Sequence, residues 1–247
     1  MNNLQRTLEN VANARRKELL PYVFNQTECR VQRGPFSGMI IVPKTSWGDG
    51  DSAAKLLGVY EDELHPAVED AIKHNPDLIL NIGCAEGYYG VGLAARLPES
   101  HVIAVDINPQ AEAVVVENMA ANQIKNLKCL IGYVDHAWLE EQCKNRQRPL
   151  LVVDCEGAEL DLLDPEKITS LHKASVLVEC HDCMIPGITD TLIQRFSNSH
   201  DIVGIKQRYK DPYQFEFLQE LSDCDKWCLV HEGRPSTMTW LYMVPKK

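Results

Sequence analysis

The chain has 247 residues, is 45% hydrophobic and carries a formal charge of −10. That is enough apolar mass for one large α/β core, with no stretch of the apolar length a membrane span needs. The acidic balance argues against phosphate-tracking nucleic-acid binding, which relies on clustered Lys and Arg, and points to a small molecule or a protein as substrate.

Residues from about 3 to 20 read as a charged amphipathic helix, with none of the apolar segment of a signal peptide. Turn residues then crowd the chain at Gly34-Pro35, Ser37-Gly38, Pro43 and Gly48 to Asp51, with Met39-Ile40-Ile41-Val42 a short strand between them. Helical spacing returns from Leu64 to Lys73, with Pro66 in the first turn. Residues 1–60 thus read as an extension that includes a candidate lid at Trp47, and residues 61–247 as the main domain.

After Pro76 the rhythm changes. The short apolar runs LILNI, VIAVDI, LKCLIG, LLVVD and VLVEC alternate with helical segments at YYGVGLAARL and at about 109–122, 158–163 and 189–197. Such alternation predicts an α/β fold with a mostly parallel sheet covered on both faces. WCLVHE and TMTWLYMV, on either side of Gly233-Arg234-Pro235, predict an antiparallel hairpin that closes a seven-stranded sheet. The nine cysteines are odd in number, and Cys129 and Cys180 sit in apolar runs. They read as free thiols of a reducing, cytoplasmic compartment, and Cys180-x2-Cys183 and Cys224-x3-Cys228 as no zinc site.

The first apolar run ends in Asn81-Ile82-Gly83-Cys84-Ala85-Glu86-Gly87, a strand-to-helix turn whose glycines allow a ligand close to the backbone. The second ends in Asp106, followed by Ile107 and Asn108, where a carboxylate can accept both hydroxyls of an adenosine ribose. The glycines are not spaced as in G-x-G-x-x-G, and Glu86 would repel a pyrophosphate. The zwitterionic methionine part of S-adenosylmethionine tolerates it. This favours the methyl donor over NAD, and leaves an NAD-dependent oxidoreductase or a catalytically silent nucleoside-binding protein as rivals.

Gly58-Val59-Tyr60-Glu61, the Gly83 turn, Asp106, Asp154-Cys155-Glu156-Gly157-Ala158-Glu159, Val178-Glu179-Cys180-His181 and the Gly233 to Tyr242 segment together resemble the FkbM-type class I methyltransferases. The resemblance runs from about Tyr60 to Val244. It implies a Rossmann-like fold, S-adenosylmethionine as methyl donor, and methylation of a small-molecule oxygen. It also implies that Tyr60 and Glu61 cover the donor and that Tyr133 and Val134 lie where the adenine rests. Asn81 stands where that family usually has Asp, and Cys84-Ala85-Glu86 replaces its commoner loop.

For the chemistry, LLVVD delivers Asp154 and VLVEC delivers Glu179, His181 and Asp182 to the same sheet edge. Methyl transfer to an alcohol needs a base or a metal to remove the acceptor proton. His181 is the favoured base because an unperturbed imidazole titrates near neutrality, with Asp154 and Glu179 as catalytic partners. Magnesium or manganese on Asp154, Glu179 and Asp182 is the competing reading, disfavoured by nearby thiols, and helix capping by Glu156 and Glu159 is the third. No nucleic-acid or membrane partner is expected, and a homodimer is compatible with the chain.

Overall fold

Five apolar runs become five buried or half-buried strands, and the segments between them become the covering helices. A computed structural model describes residues 3–47 and 50–246. The chain order is α1 (Asn3–Gln26), α2 (Ser52–Leu57), α3 (His65–Lys73), β1 (Leu78–Ile82), α4 (Tyr88–Arg96), β2 (His101–Asp106), α5 (Gln110–Ala121) and β3 (Leu127–Ile131). It continues with α6 (His136–Cys143), β4 (Pro149–Val153), α7 (Glu159–Leu162), β5 (Ser175–Cys180), α8 (Ile188–Phe196), β6 (His200–Lys206), α9 (Asp223–Val230) and β7 (Thr239–Pro245).

The strands form one seven-stranded sheet in the order β3-β2-β1-β4-β5-β7-β6. β1 to β5 pair in parallel, and β7 lies antiparallel between β5 and β6. The chain winds outward from β1 to β3, then returns to place β4 on the other side of β1. That reversal opens a crevice beyond the carboxyl ends of β1 and β4. Register completes the arrangement: Ile82 pairs with both Val105 and Val153, so Gly83, Asp106 and Asp154 leave the sheet at one level.

Strand residues alternate between two apolar layers. Leu78, Leu80 and Ile82 face one cluster with Leu139, Leu163 and Phe196, while Ile79 faces another with Leu19, Val23, Phe36 and Leu56. The segment before residue 61 therefore packs on the sheet, although its described residues contribute no strand. Met39–Val42 forms only an isolated bridge, from Ile40 to Arg30, and Pro21 lies inside α1. Among the described residues no helix is long and apolar enough to cross a membrane.

The end of the chain differs from expectation in one respect. WCLVHE lies mostly in helix α9, and the antiparallel partner of β7 is β6. Ser222 caps α9 by accepting a hydrogen bond from the Asp225 amide, and Asp223 and Asp225 fill the first turn, where carboxylates suit the helix dipole. That local signal overrides the strand-like run that follows it.

Candidate functional site

The crevice is a cavity of about 450 Å³ lined by the loops after β1, β2, β3, β4 and β5, with Trp47, Asp51, Lys55 and Tyr60 from the N-terminal segment and Glu232 to Pro235 from the loop before β7. Of the residues expected at the donor site, Tyr60, Gly83, Ala85, Glu86, Asp106, Ile107, Tyr133, Val134 and Asp154 line it. Gly48 and Asp49, part of the candidate lid, lie outside the described residues; Trp47 beside them is exposed at the cavity wall.

The Gly83 turn is built around Asp106. One carboxylate oxygen of Asp106 accepts from the Ala85 amide at 2.7 Å and the other from the Asn108 amide at 2.8 Å. The carboxylate is thereby fixed at the cavity wall, with lone pairs left for two further donors. Ala85 holds a left-handed φ of 46° to present its amide. Tyr133, 89% exposed, stands at the mouth with Ile107.

Several expected contacts are corrected. Asn81 does not face the cavity, because its side-chain oxygen accepts from the Gly90 amide at 3.0 Å and holds the start of α4 against β1. Cys84 is buried in the core beside Cys129. Gly87 sits against Val91 and Val115. Asn108 turns its amide to the Ser46 carbonyl. Gly83 is required for another reason than ligand space: a Cβ there would lie 1.6 Å from the Asp154 carbonyl oxygen. Glu86 is not a bare anion, since Lys55 pairs with it and with Asp51. The repulsion expected toward a pyrophosphate is largely neutralised, so only the glycine spacing still speaks against NAD.

Glu61 and Glu179 also leave the list of cavity residues. Both are fully buried and share the Arg234 guanidinium, with Glu232 at 3.5 Å from it. Tyr89 donates to Glu61. Burial, opposed by Arg234 but reinforced by Glu179 and Glu232, pushes the Glu61 carboxyl up to about 8. Glu179 thus anchors Arg234 rather than meeting a substrate. Asp182 caps α8, accepting from Gly187 and Thr189, and takes no part in the cavity.

At the opposite wall the ends of β4 and β5 meet. His181 is buried; its Nδ1 bonds Glu159 at 2.8 Å and its Nε2 faces Asp154 at 3.6 Å and Glu156 at 3.4 Å. Glu159 also accepts from the Cys155 and Gly157 amides. Although burial works the other way, Glu159, aided by Glu179 and Asp154, pulls the imidazole up to about 9. The near-neutral titration expected of His181 as a base is therefore not met: at neutral pH the uncomplexed ring holds its proton. Burial, with Glu179 and Glu61 nearby, raises Asp154 well above the ordinary carboxylate range. Among the described residues Asp154, Glu156 and His181 bring three donor atoms within 4.8 Å of one another, a set able to hold a metal ion. The nine cysteines are all free thiols.

Lys55, buried, and Arg234, half-buried, are cations of the site that the sequence does not single out. A lysine inside the apolar run Ala-Ala-Lys-Leu-Leu, and an arginine held between Gly233 and Pro235, were the available signals.

Residues 75–147 match the family model "Putative methyltransferase", less than a third of the chain but the part that carries the Gly83 turn and Asp106. A search of curated proteins finds no match. Among solved structures, cofactor-bound Rv0187 from MTB is similar over 79% of this chain and 85% of its own, with 11% identity and a TM-score of 0.50. An rRNA methylase from Streptococcus thermophilus is similar over 74% and 96%, with 14% identity and a TM-score of 0.47. A ribosomal protein L11 methylase from Lactobacillus delbrueckii subsp. bulgaricus is similar over 76% and 81%, with 15% identity and a TM-score of 0.46. The chain adopts the Rossmann-like fold of class I methyltransferases, with a mostly parallel seven-stranded sheet and an antiparallel β7.

Proposed function

We propose that the protein is an S-adenosylmethionine-dependent methyltransferase that methylates an oxygen of a small-molecule acceptor. The observation that carries the reading is Asp106, held by two backbone amides at the edge of a cavity large enough for a nucleoside. In this reading its carboxylate accepts both ribose hydroxyls, Tyr133, Val134 and Ile107 flank the adenine, and the methionine part lies over the Gly83 turn towards Asp154. The match over residues 75–147 supports a methyl donor. The FkbM type is the finer reading and rests on the Asp154 to Glu159 motif.

When bound, S-adenosylmethionine would supply a methyl group for transfer to an acceptor oxygen held against the wall of Asp154, Glu156 and His181. Glu156, the exposed carboxylate of that wall, would take up the acceptor proton, because His181 already holds its own. Arg234, held by Glu61 and Glu179, lines the acceptor side of the cavity.

Calorimetry with S-adenosylmethionine, S-adenosylhomocysteine and NAD tests the reading. The two sulfur nucleosides should bind one per chain and NAD should not. Asp106→Ala should weaken them by about 2 to 4 kcal/mol, as expected for loss of a charged hydrogen-bonding partner. Undiminished binding by Asp106→Ala would move the donor elsewhere.

A further inference from the structure

The wall formed by the ends of β4 and β5 carries more negative charge than its own cations offset. Asp154, Glu156 and Glu159 surround the single imidazole of His181. The two other cations that line the cavity are committed elsewhere, Lys55 to Asp51 and Glu86, and Arg234 to Glu61 and Glu179. Oδ1 of Asp154 is buried without a hydrogen-bond partner, a condition that costs free energy unless something else fills it. Nε2 of His181, on a side chain only 5% exposed, lies beyond hydrogen-bond length from both carboxylates that it faces.

We propose that Nε2 of His181, with one carboxylate oxygen each from Asp154 and Glu156, binds a divalent transition-metal ion, manganese(II) being the best-matched probe. The spacing fits. An ion about 2.0 to 2.3 Å from each donor sets neighbouring donors about 3 to 3.6 Å apart, and the nitrogen–oxygen separations are 3.6 and 3.4 Å. Support from behind fits as well: Nδ1–H of His181 donates to Glu159, which orients the ring so that Nε2 can give up its proton to the ion, the usual carboxylate–histidine–metal relay. One imidazole with two carboxylates favours manganese or iron over magnesium, which prefers oxygen and water alone.

The soft-ligand objection weakens in the fold. Among the described residues the donor atoms that come together are those of Asp154, Glu156 and His181, and no cysteine sulfur joins them. Three protein donors leave positions for an acceptor oxygen, whose proton the ion would make easier to lose. That role rests on the methyl-transfer reading; binding of the ion does not.

The test is a titration of the chelator-treated full chain with manganese(II) near neutral pH, with the free ion followed by electron paramagnetic resonance. One ion per chain is expected. Glu156→Gln and Asp154→Asn should each weaken binding at least tenfold, and Asp190→Asn, an exposed acid on α8, should leave it unchanged. Glu156 is solvent-exposed, so its variant tests the site even where Asp154→Asn disturbs folding. No bound manganese, or equal binding by Glu156→Gln, overturns the proposal. Calorimetry with S-adenosylhomocysteine on the same chelated sample separates the two readings. Donor binding without manganese binding removes the metal alone, and manganese binding without donor binding removes the methyltransferase reading alone.

Discussion

Gly83 carries two demands at once, and they have different consequences. Its φ of +77° lies in the region that favours glycine, and its α-carbon passes against the Asp154 carbonyl. Sequence reasoning makes it a space-giving residue for the ligand; the geometry makes it the point where the ends of β1 and β4 close. Gly83→Ala should therefore lower stability by at least about 2 kcal/mol, from the left-handed backbone plus the displaced carbonyl, as well as weaken donor binding. Chemical unfolding with an unchanged midpoint would return Gly83 to a ligand-spacing role.

Glu61 makes a second residue-scale prediction. Its carboxyl, pushed up to about 8 in the fold from the ordinary glutamate value of about 4.5, binds a proton more tightly when folded. The stability this contributes is complete below about 4.5 and is lost as pH rises through about 8. Five acids, Glu61, Glu179, Glu232, Glu63 and Asp62, share Arg234 and Lys210, so an extra proton has an electrostatic cause. Glu61→Gln should flatten the decline in unfolding free energy between those limits, by up to about 1.4 kcal/mol per pH unit. Parallel stability curves for the two proteins would show that Glu61 stays ionised.

At the scale of elements, what the sequence made legible follows burial. The buried strands β1, β2, β4 and β5 read as continuous apolar runs because both faces are covered. β6 passes unnoticed because His200–Lys206 alternates and most of its residues meet solvent. Eight-residue α6 is short, and its signal is the Asp135 side chain accepting from the Trp138 amide. The places of Asp106 and Asp154 at the cavity are legible because each ends an apolar strand run. Glu179 was misread because the same pattern serves a buried pair once Arg234 arrives from a loop 55 positions later, and no local spacing records that approach.

β7 makes the element-scale prediction. It joins β6 to the sheet, and Trp240, 1% exposed, packs on the face that also receives Tyr89. Trp240→Ala should cost about 3 to 5 kcal/mol in urea unfolding, the range for emptying a large buried aromatic site. A loss under about 1 kcal/mol would mean that β7 is peripheral to the fold's stability.

Across the whole molecule, the proposed reading gives the donor to the turns after β1 and β2 and the acceptor to three loops, after β4, after β5 and before β7. The turns after β1 and β2 set Asp106 and the glycines, and the N-terminal segment closes over them with Tyr60 and Lys55. The ends of β4 and β5 oppose them with Asp154 and His181, and the loop before β7 adds Arg234. This division is the central claim: nucleoside on one wall, reacting oxygen on the other. A crystal structure with S-adenosylhomocysteine tests it most directly. The account predicts both ribose hydroxyls within hydrogen-bond distance of the Asp106 carboxylate, and the sulfur within about 8 Å of His181 Nε2, the reach of a group acting directly or through one water. A nucleoside seated away from Asp106, or a sulfur turned from the Asp154–His181 wall, would contradict it.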